Sequence, residues 1–254
     1  MNVTGNSYVD GEVLYMGNEY YIASCVFSTQ FPELSYKIQD YISKRFNMSI
    51  VRCCIPKYKV REFEEKMKIE YRAKWSELPD SAIFKDADTV YSLCHNCSNI
   101  IEETKNNVKV ISLWELILSD SDFIYPDYGG IKVTIQDCWR AKERFSEQNA
   151  VRSLLRNMNI DFIEVDENLS DTNFCGASLY RPQPIRNPQL APVHYEKNAV
   201  GKFLPHTLEE QKTIMMDYCK QFSTKIVVCY CHYCLEGLQM GGKKGKHIAD
   251  LLFQ

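Results

Sequence analysis

Residues 225–234 read Lys-Ile-Val-Val-Cys-Tyr-Cys-His-Tyr-Cys, an apolar run rich in β-branched residues that passes straight into a Cys231-x-x-Cys234 pair. Residues 89–97, Thr-Val-Tyr-Ser-Leu-Cys-His-Asn-Cys, repeat the arrangement in the first half and end on Cys94-x-x-Cys97. Short apolar runs of this kind read as strands, and their near-continuous hydrophobicity suits a parallel sheet covered on both faces. The same order of elements precedes each pair. Glu19–Ser24 (EYYIAS) is a strand running into Cys25, and Ile131–Gln136 (IKVTIQ) is a strand running into Asp137 and Cys138. Pro32 can open a helix, because its missing N–H costs nothing there, and Leu34, Ile38, Tyr41, Ile42 and Phe46 follow at helical spacing.

Outward from these anchors, Met48–Arg52 (MSIVR) gives a strand ending on Cys53 and Cys54. A charged helix with Val60, Phe63, Met67, Tyr71 and Trp75 along one face comes next. Val108–Ile111 is a further strand, and Leu113–Ile117 closes the first half. In the second half, Gln148–Met158 is a helix, Ile160–Val165 a strand, and Thr207 with Glu210 a capping box opening another helix. His247–Leu252 echoes Leu113–Ile117. The chain therefore reads as α/β, two pseudo-repeated β-α-β-α-β-α (Rossmann-like) halves with mainly parallel sheets. The expected domains are residues 1–125 and 126–254. In such sheets ligands gather beyond the carboxyl ends of the strands.

Composition narrows the function classes. The 254 residues carry 30 Lys plus Arg against 33 Asp plus Glu, so the net charge of −3 gives no electrostatic footprint for nucleic acid. No uncharged apolar run approaches the roughly 18 residues a membrane span needs. The first twenty residues are polar and tyrosine-rich, without the basic start and apolar stretch of a secretory signal. A soluble, cytoplasmic protein is expected. Eleven cysteines do not fit that ordinary picture. Disulfide scaffolds belong to short secreted chains, and buried thiols explain one or two positions. Metal or cluster ligation needs cysteines in tight groups that converge. Cys25, Cys53, Cys54, Cys94 and Cys97 all sit at or just past strand ends, so the first half is expected to gather them at one edge.

The spacing resembles the cysteine-rich (CCG) domain family, whose members include the disulfide-cleaving polypeptide of heterodisulfide reductase. That pattern is a lone Cys, an adjacent Cys-Cys usually followed by Gly, then Cys-x-x-Cys, present twice. The first copy here is Cys25, Cys53-Cys54 and Cys94-x-x-Cys97, with Ile55 in place of the glycine; Pro32-Glu33-Leu34-Ser35 is also similar to the family. The second copy is Cys138, Phe174-Cys175-Gly176 and Cys231-x-x-Cys234, with Phe174 in place of the first cysteine of the pair. The resemblance implies a noncubane [4Fe–4S] cluster on the five cysteines of the first half. It also implies a second [4Fe–4S] cluster or zinc on Cys138, Cys175, Cys231 and Cys234. The activity implied is reduction or formation of a small disulfide or related thiol substrate. The chain has no Cys-x-x-Cys-x-x-Cys run of its own, so a ferredoxin-like donor subunit or carrier is expected as partner. Two other functions compete: an electron relay for a hydroxyacid (lactate or glycolate) oxidation system, and a zinc-stabilised binding module.

The remaining residues divide evenly. His95 and His232 occupy matching places inside the two Cys-x-x-Cys pairs, either as donors near metal-bound sulfur or as solvent-facing helix-start residues. Arg140, with Lys142 and Arg144, either offsets thiolate charge or holds an anionic substrate, or forms a solvated helix face. Cys219 reads as core, and Cys229 as core or a spare ligand. Residues 178–206 hold five of the nine prolines, and are expected to cover the second site or dock a partner.

Overall fold

A computed structural model describes residues 6–9, 12–15, 17–52, 55, 64–185 and 188–254. Cys53, Cys54, Val60, Phe63 and Arg186 lie outside the described residues. The chain divides into two compact units, Met1–Ser112 and Leu113–Gln254. The division falls ahead of the expected one because the Leu113–Ser119 helix, read from sequence as the close of the first half, packs on a helix of the second unit.

In the first unit β1 (Asn6–Val9) and β2 (Glu12–Tyr15) form an antiparallel ribbon. The main sheet contains β3 (Glu19–Ile22), β4 (Ser49–Val51), β5 (Thr89–Ser92) and β6 (Lys109–Ser112), all parallel, in the order β4-β3-β5-β6. Between the strands lie α1 (Cys25–Gln30), α2 (Pro32–Phe46), α3 (Ile69–Glu77) and α4 (His95–Thr104). Pro32 opens α2 as expected, and Asn47 ends it in the left-handed conformation that a short amide side chain tolerates. Leu34, Ile38 and Ile42 form its buried face.

The second unit begins with α5 (Leu113–Ser119) and repeats the topology with β7 (Ile131–Gln136), β8 (Ile160–Glu164), β9 (Ile226–Cys229) and β10 (Lys244–His247), parallel in the order β8-β7-β9-β10. Its other helices are α6 (Phe145–Asn157), α7 (Leu208–Tyr218), α8 (His232–Met240) and α9 (Ile248–Leu252). The Thr207–Glu210 capping box is present with both of its hydrogen bonds. Each sheet thus runs second–first–third–fourth strand. The direction of winding reverses between the first and third strands, which leaves a crevice at their carboxyl ends. In the first unit Cys25 follows β3 and Cys94 follows β5. In the second, Cys138 follows β7 and Cys231 follows β9.

A buried charge network ties three strand ends of the second unit together. Asp137, fully buried just past β7, accepts from Arg152 at 2.6 and 3.1 Å, from the Tyr230 hydroxyl at 2.7 Å and from the Leu169 amide at 2.9 Å. Arg152, on the inner face of α6, also donates to Glu164, the last residue of β8, at 2.8 and 2.7 Å. Tyr230 stands just past β9. All of the carboxylate's acceptor capacity is used, which is what a buried ion pair requires if its desolvation is to be offset. Burial and the nearby Asp137 carboxylate hold the Tyr230 phenol well above its ordinary range, so it stays a donor. Removing one partner leaves an uncompensated buried charge. Arg152→Leu should lower unfolding free energy by about 3–5 kcal/mol in a urea titration, whereas Glu164→Gln, at a half-exposed partner, should cost about 1 kcal/mol.

Candidate metal centre

The first unit brings Cys25, Cys94 and Cys97 to one sheet edge. Ile22 of β3 lies opposite Ser92 of β5, so the chain segments bearing Cys25 and Cys94 leave from adjacent strand ends. Ser24 caps α1 through the Phe27 amide, which fixes Cys25 as its first residue. Cys94 is the residue before α4, its amide held by the Ser92 hydroxyl at 3.1 Å, and Cys97 follows in the first helical turn. All three are buried. Tyr21 beside them is fully buried, and burial together with the charges of Cys97 and Cys94 pushes its phenol well above the usual range. Cys53 and Cys54, the other two members of the five-cysteine set, lie outside the described residues.

In the second unit all four candidate ligands are described, and they converge. Gln136 of β7 is paired with Cys229 of β9, so Cys138 and Cys231, each two residues further on, leave neighbouring strands together. Their sulfurs lie within 4.8 Å of one another. The sulfurs of Cys175, Cys231 and Cys234 all lie near enough to that of Cys138 to act on its thiol. All four are buried thiols outside any disulfide. Cys231 precedes α8 and Cys234 lies in its first turn, as Cys94 and Cys97 do at α4. Amides at a helix start favour negative charge on sulfur.

Cys175 arrives from a different segment, and glycine makes its approach possible. Gly176 has φ of +53°, and a Cβ there would collide with the Tyr233 carbonyl. From the other side, a Cβ on Gly237 of α8 would run into Gly176. The Gly176–Ser178 turn therefore lies directly on α8, backbone against backbone, with Cys175 beside the Cys231–Cys234 turn.

Electrostatics separate the four sulfurs. Burial raises the Cys138 and Cys234 thiols well above their ordinary range, with the neighbouring sulfurs adding to the rise at Cys138. Burial acts on Cys175 in the same direction, but the Cys138 hydrogen bond and the Arg140 charge outweigh it and lower that thiol. Arg140 donates to the Cys175 sulfur at 3.0 Å and to the Ser178 hydroxyl at 3.1 Å. Only 8% exposed, it is enclosed by the rings of Tyr233, Tyr195 and Phe203 at 5.0, 5.4 and 5.7 Å. Arg140 is therefore a partner of the Cys175 sulfur and does not belong to a solvated helix face. Lys142 lies over the Trp139 ring instead. The 178–206 segment supplies two of the enclosing rings, Tyr195 from a π-helical turn at Val193–Lys197 and Phe203 further on, so this stretch covers the site.

His95 and His232 are both 3% exposed, which corrects the solvent-facing alternative. His232 packs on Tyr233 at 4.2 Å, and its Nε2 has no hydrogen-bond partner among the described residues. Cys219 and Cys229 are core. Burial pushes the Cys219 thiol up to about 11, and the buried Cys229 sulfur approaches the Cys231 carbonyl at 3.7 Å. Phe174, where the pattern has a cysteine, stacks on Tyr218 at 4.4 Å and 10°. Sequence reasoning passed over the roles of Asp137, Arg152, Glu164 and Tyr230; the available signal was Arg152 on the apolar face of α6, between Val151 and Leu154.

The donor set fits a soft metal centre. Three buried cysteine sulfurs grouped around that of Cys138 suit the thiolate ligation of zinc or an iron–sulfur cluster.

No known family profile matches the chain, and no curated protein matches it. Among solved structures, glutamate racemase isoform RacE1 from Bacillus anthracis aligns over 94% of this chain and 79% of its own, at 12% identity and a TM-score of 0.32. That likeness is too low to carry an argument, so the functional reading rests on the chemistry of the site. Gly176→Ala should displace Cys175 and abolish stoichiometric metal at the second site, read by metal analysis; a variant with full metal content would show that the glycine contact does not position the ligand.

Proposed function

We propose that the chain is an iron–sulfur redox protein of the heterodisulfide reductase type, located in the cytoplasm and acting on a small disulfide or thiol. The observation that carries this reading is the convergence of Cys138, Cys175, Cys231 and Cys234 on one buried point beside Arg140. These four would hold a [4Fe–4S] cluster, and Cys25, Cys53, Cys54, Cys94 and Cys97 a noncubane one. When bound, such clusters supply single electrons and an iron that can take a substrate sulfur. No helix among the described residues is long and apolar enough to cross a membrane, which is compatible with this placement.

The chain's own residues prepare the second site in three ways. Arg140 compensates charge at Cys175, where a neutral neighbour would leave a buried thiolate unsupported. Asp137 and Tyr230, bonded to each other and each adjacent in sequence to a ligand, fix the strand ends that carry Cys138 and Cys231. Tyr195 and Phe203 close over the guanidinium and keep water from it. Electrons would come from a ferredoxin-like subunit or carrier.

Anaerobic purification with iron, acid-labile sulfide and zinc analysis decides among the readings. Brown protein containing iron and sulfide is expected. Colourless protein with stoichiometric zinc and no sulfide would make the chain a zinc-stabilised binding module. A cluster whose EPR spectrum is unchanged by disulfides would make it an electron relay. Cys54→Ser should remove the first-half cluster's spectroscopic signature and leave the second-half one intact; an unchanged spectrum would discard the five-thiolate assignment.

A further inference from the structure

A cavity in the Leu113–Gln254 unit reaches Phe174, the neighbour of Cys175 in sequence, and has no cysteine in its lining. It has a volume of about 410 Å³ and opens to solvent, within the roughly 300–1,000 Å³ range of small-ligand pockets. One wall is the Phe174–Tyr218 stack, at 4.4 Å between centroids and 10° between planes. Leu179 and Ile214 contribute further apolar surface, and the rim carries Asp166 and Glu167, two exposed carboxylates on the loop after β8. Among the described residues no basic side chain lines it. Lys202 is bonded to the side-chain carbonyl of Asn173 at 3.2 Å, and the same amide donates to Glu167 at 3.2 Å.

We infer that this cavity binds a flat aromatic ligand bearing a protonated amine. The half-buried Tyr218 ring, stacked on Phe174 and meeting Phe222 at 5.8 Å and 73°, gives the cavity an aromatic face that another ring can contact. A cation near that face is attracted by the ring quadrupole, and two carboxylates at the mouth add to the same preference. An anion of the same shape meets both effects with the opposite sign. The Tyr218 hydroxyl is turned inward, donating to Gln136 at 2.8 Å, so the ligand would meet the ring and not the hydroxyl.

Tryptamine and indole-3-propionate, which share a ring and differ in charge, test this by isothermal titration calorimetry on the full chain at low ionic strength. Tryptamine should bind about tenfold more tightly or better, as a cation–π contact and two partly exposed charge contacts imply. Asp166→Asn combined with Glu167→Gln should narrow the preference to the few-fold that the cation–π contact alone supplies. Ile214→Trp should fill the cavity and remove tryptamine binding. Equal affinity of the two probes, no binding of either, or a preference undiminished by the double substitution would overturn the inference. The double variant changes only exposed carboxylates, so its result stands even if Ile214→Trp fails to fold. The inference goes beyond the redox reading: heat of binding and iron content are independent, and either can fail alone.

Discussion

The second unit depends on one constraint: a fully buried carboxylate, Asp137, that must be satisfied from all sides. Arg152, Tyr230 and the Leu169 amide meet that demand, and Arg152 in turn holds Glu164. Since these groups come from just beyond β7, just beyond β9, the end of β8 and the inner face of α6, satisfying one charge fixes the edge from which the cysteines project. An apolar cluster of the same volume would stabilise the unit at least as well but would leave the strand ends freer to slide. The directional bonds suit a place where atomic positions matter more than total stability.

The two halves share topology and differ in chemistry. Both sheets run in the same order, and both place a Cys-x-x-Cys pair at a helix start after the third strand. In the second half an aromatic stack occupies the place that the family pattern gives to a fifth thiol. Phe174 is well accommodated there, 3% exposed and parallel to Tyr218, with its carbonyl held by the Trp139 amide at 2.7 Å. The position thus has a packing role of its own, and it sets an aromatic stack in the lining of a solvent-facing cavity.

Much of this architecture was legible in the sequence because strands that are buried on both faces are continuous in composition, and because a parallel sheet sends its chemistry to one edge. KIVVC and TVYSL announce themselves. The Thr207–Glu210 cap was equally plain, since its partners are local. What could not be read was long-range: Arg152 looks like an ordinary helix arginine until its carboxylates arrive from elsewhere in the chain. Arg140 was left between a thiolate partner, an anion holder and a solvated face for the same reason, its cage being assembled from Tyr195, Phe203 and Tyr233. The domain boundary was misplaced because Leu113–Ser119 is apolar enough for either unit, and packing, not composition, assigns it to the second.

The bond from Tyr230 to Asp137 spans 93 residues of sequence, and it joins the neighbours of Cys231 and Cys138. Closing a loop of that length carries an entropic cost that grows only slowly with length but must be met by something. Here bonds between protein groups carry part of it, because the Asp137–Tyr230 bond and the Arg152 ion pair hold the segments that bear Cys138 and Cys231 side by side. Those two thiols thus owe their spacing in part to a carboxylate that does not touch them, and a change at that carboxylate reaches the sulfurs through the backbone.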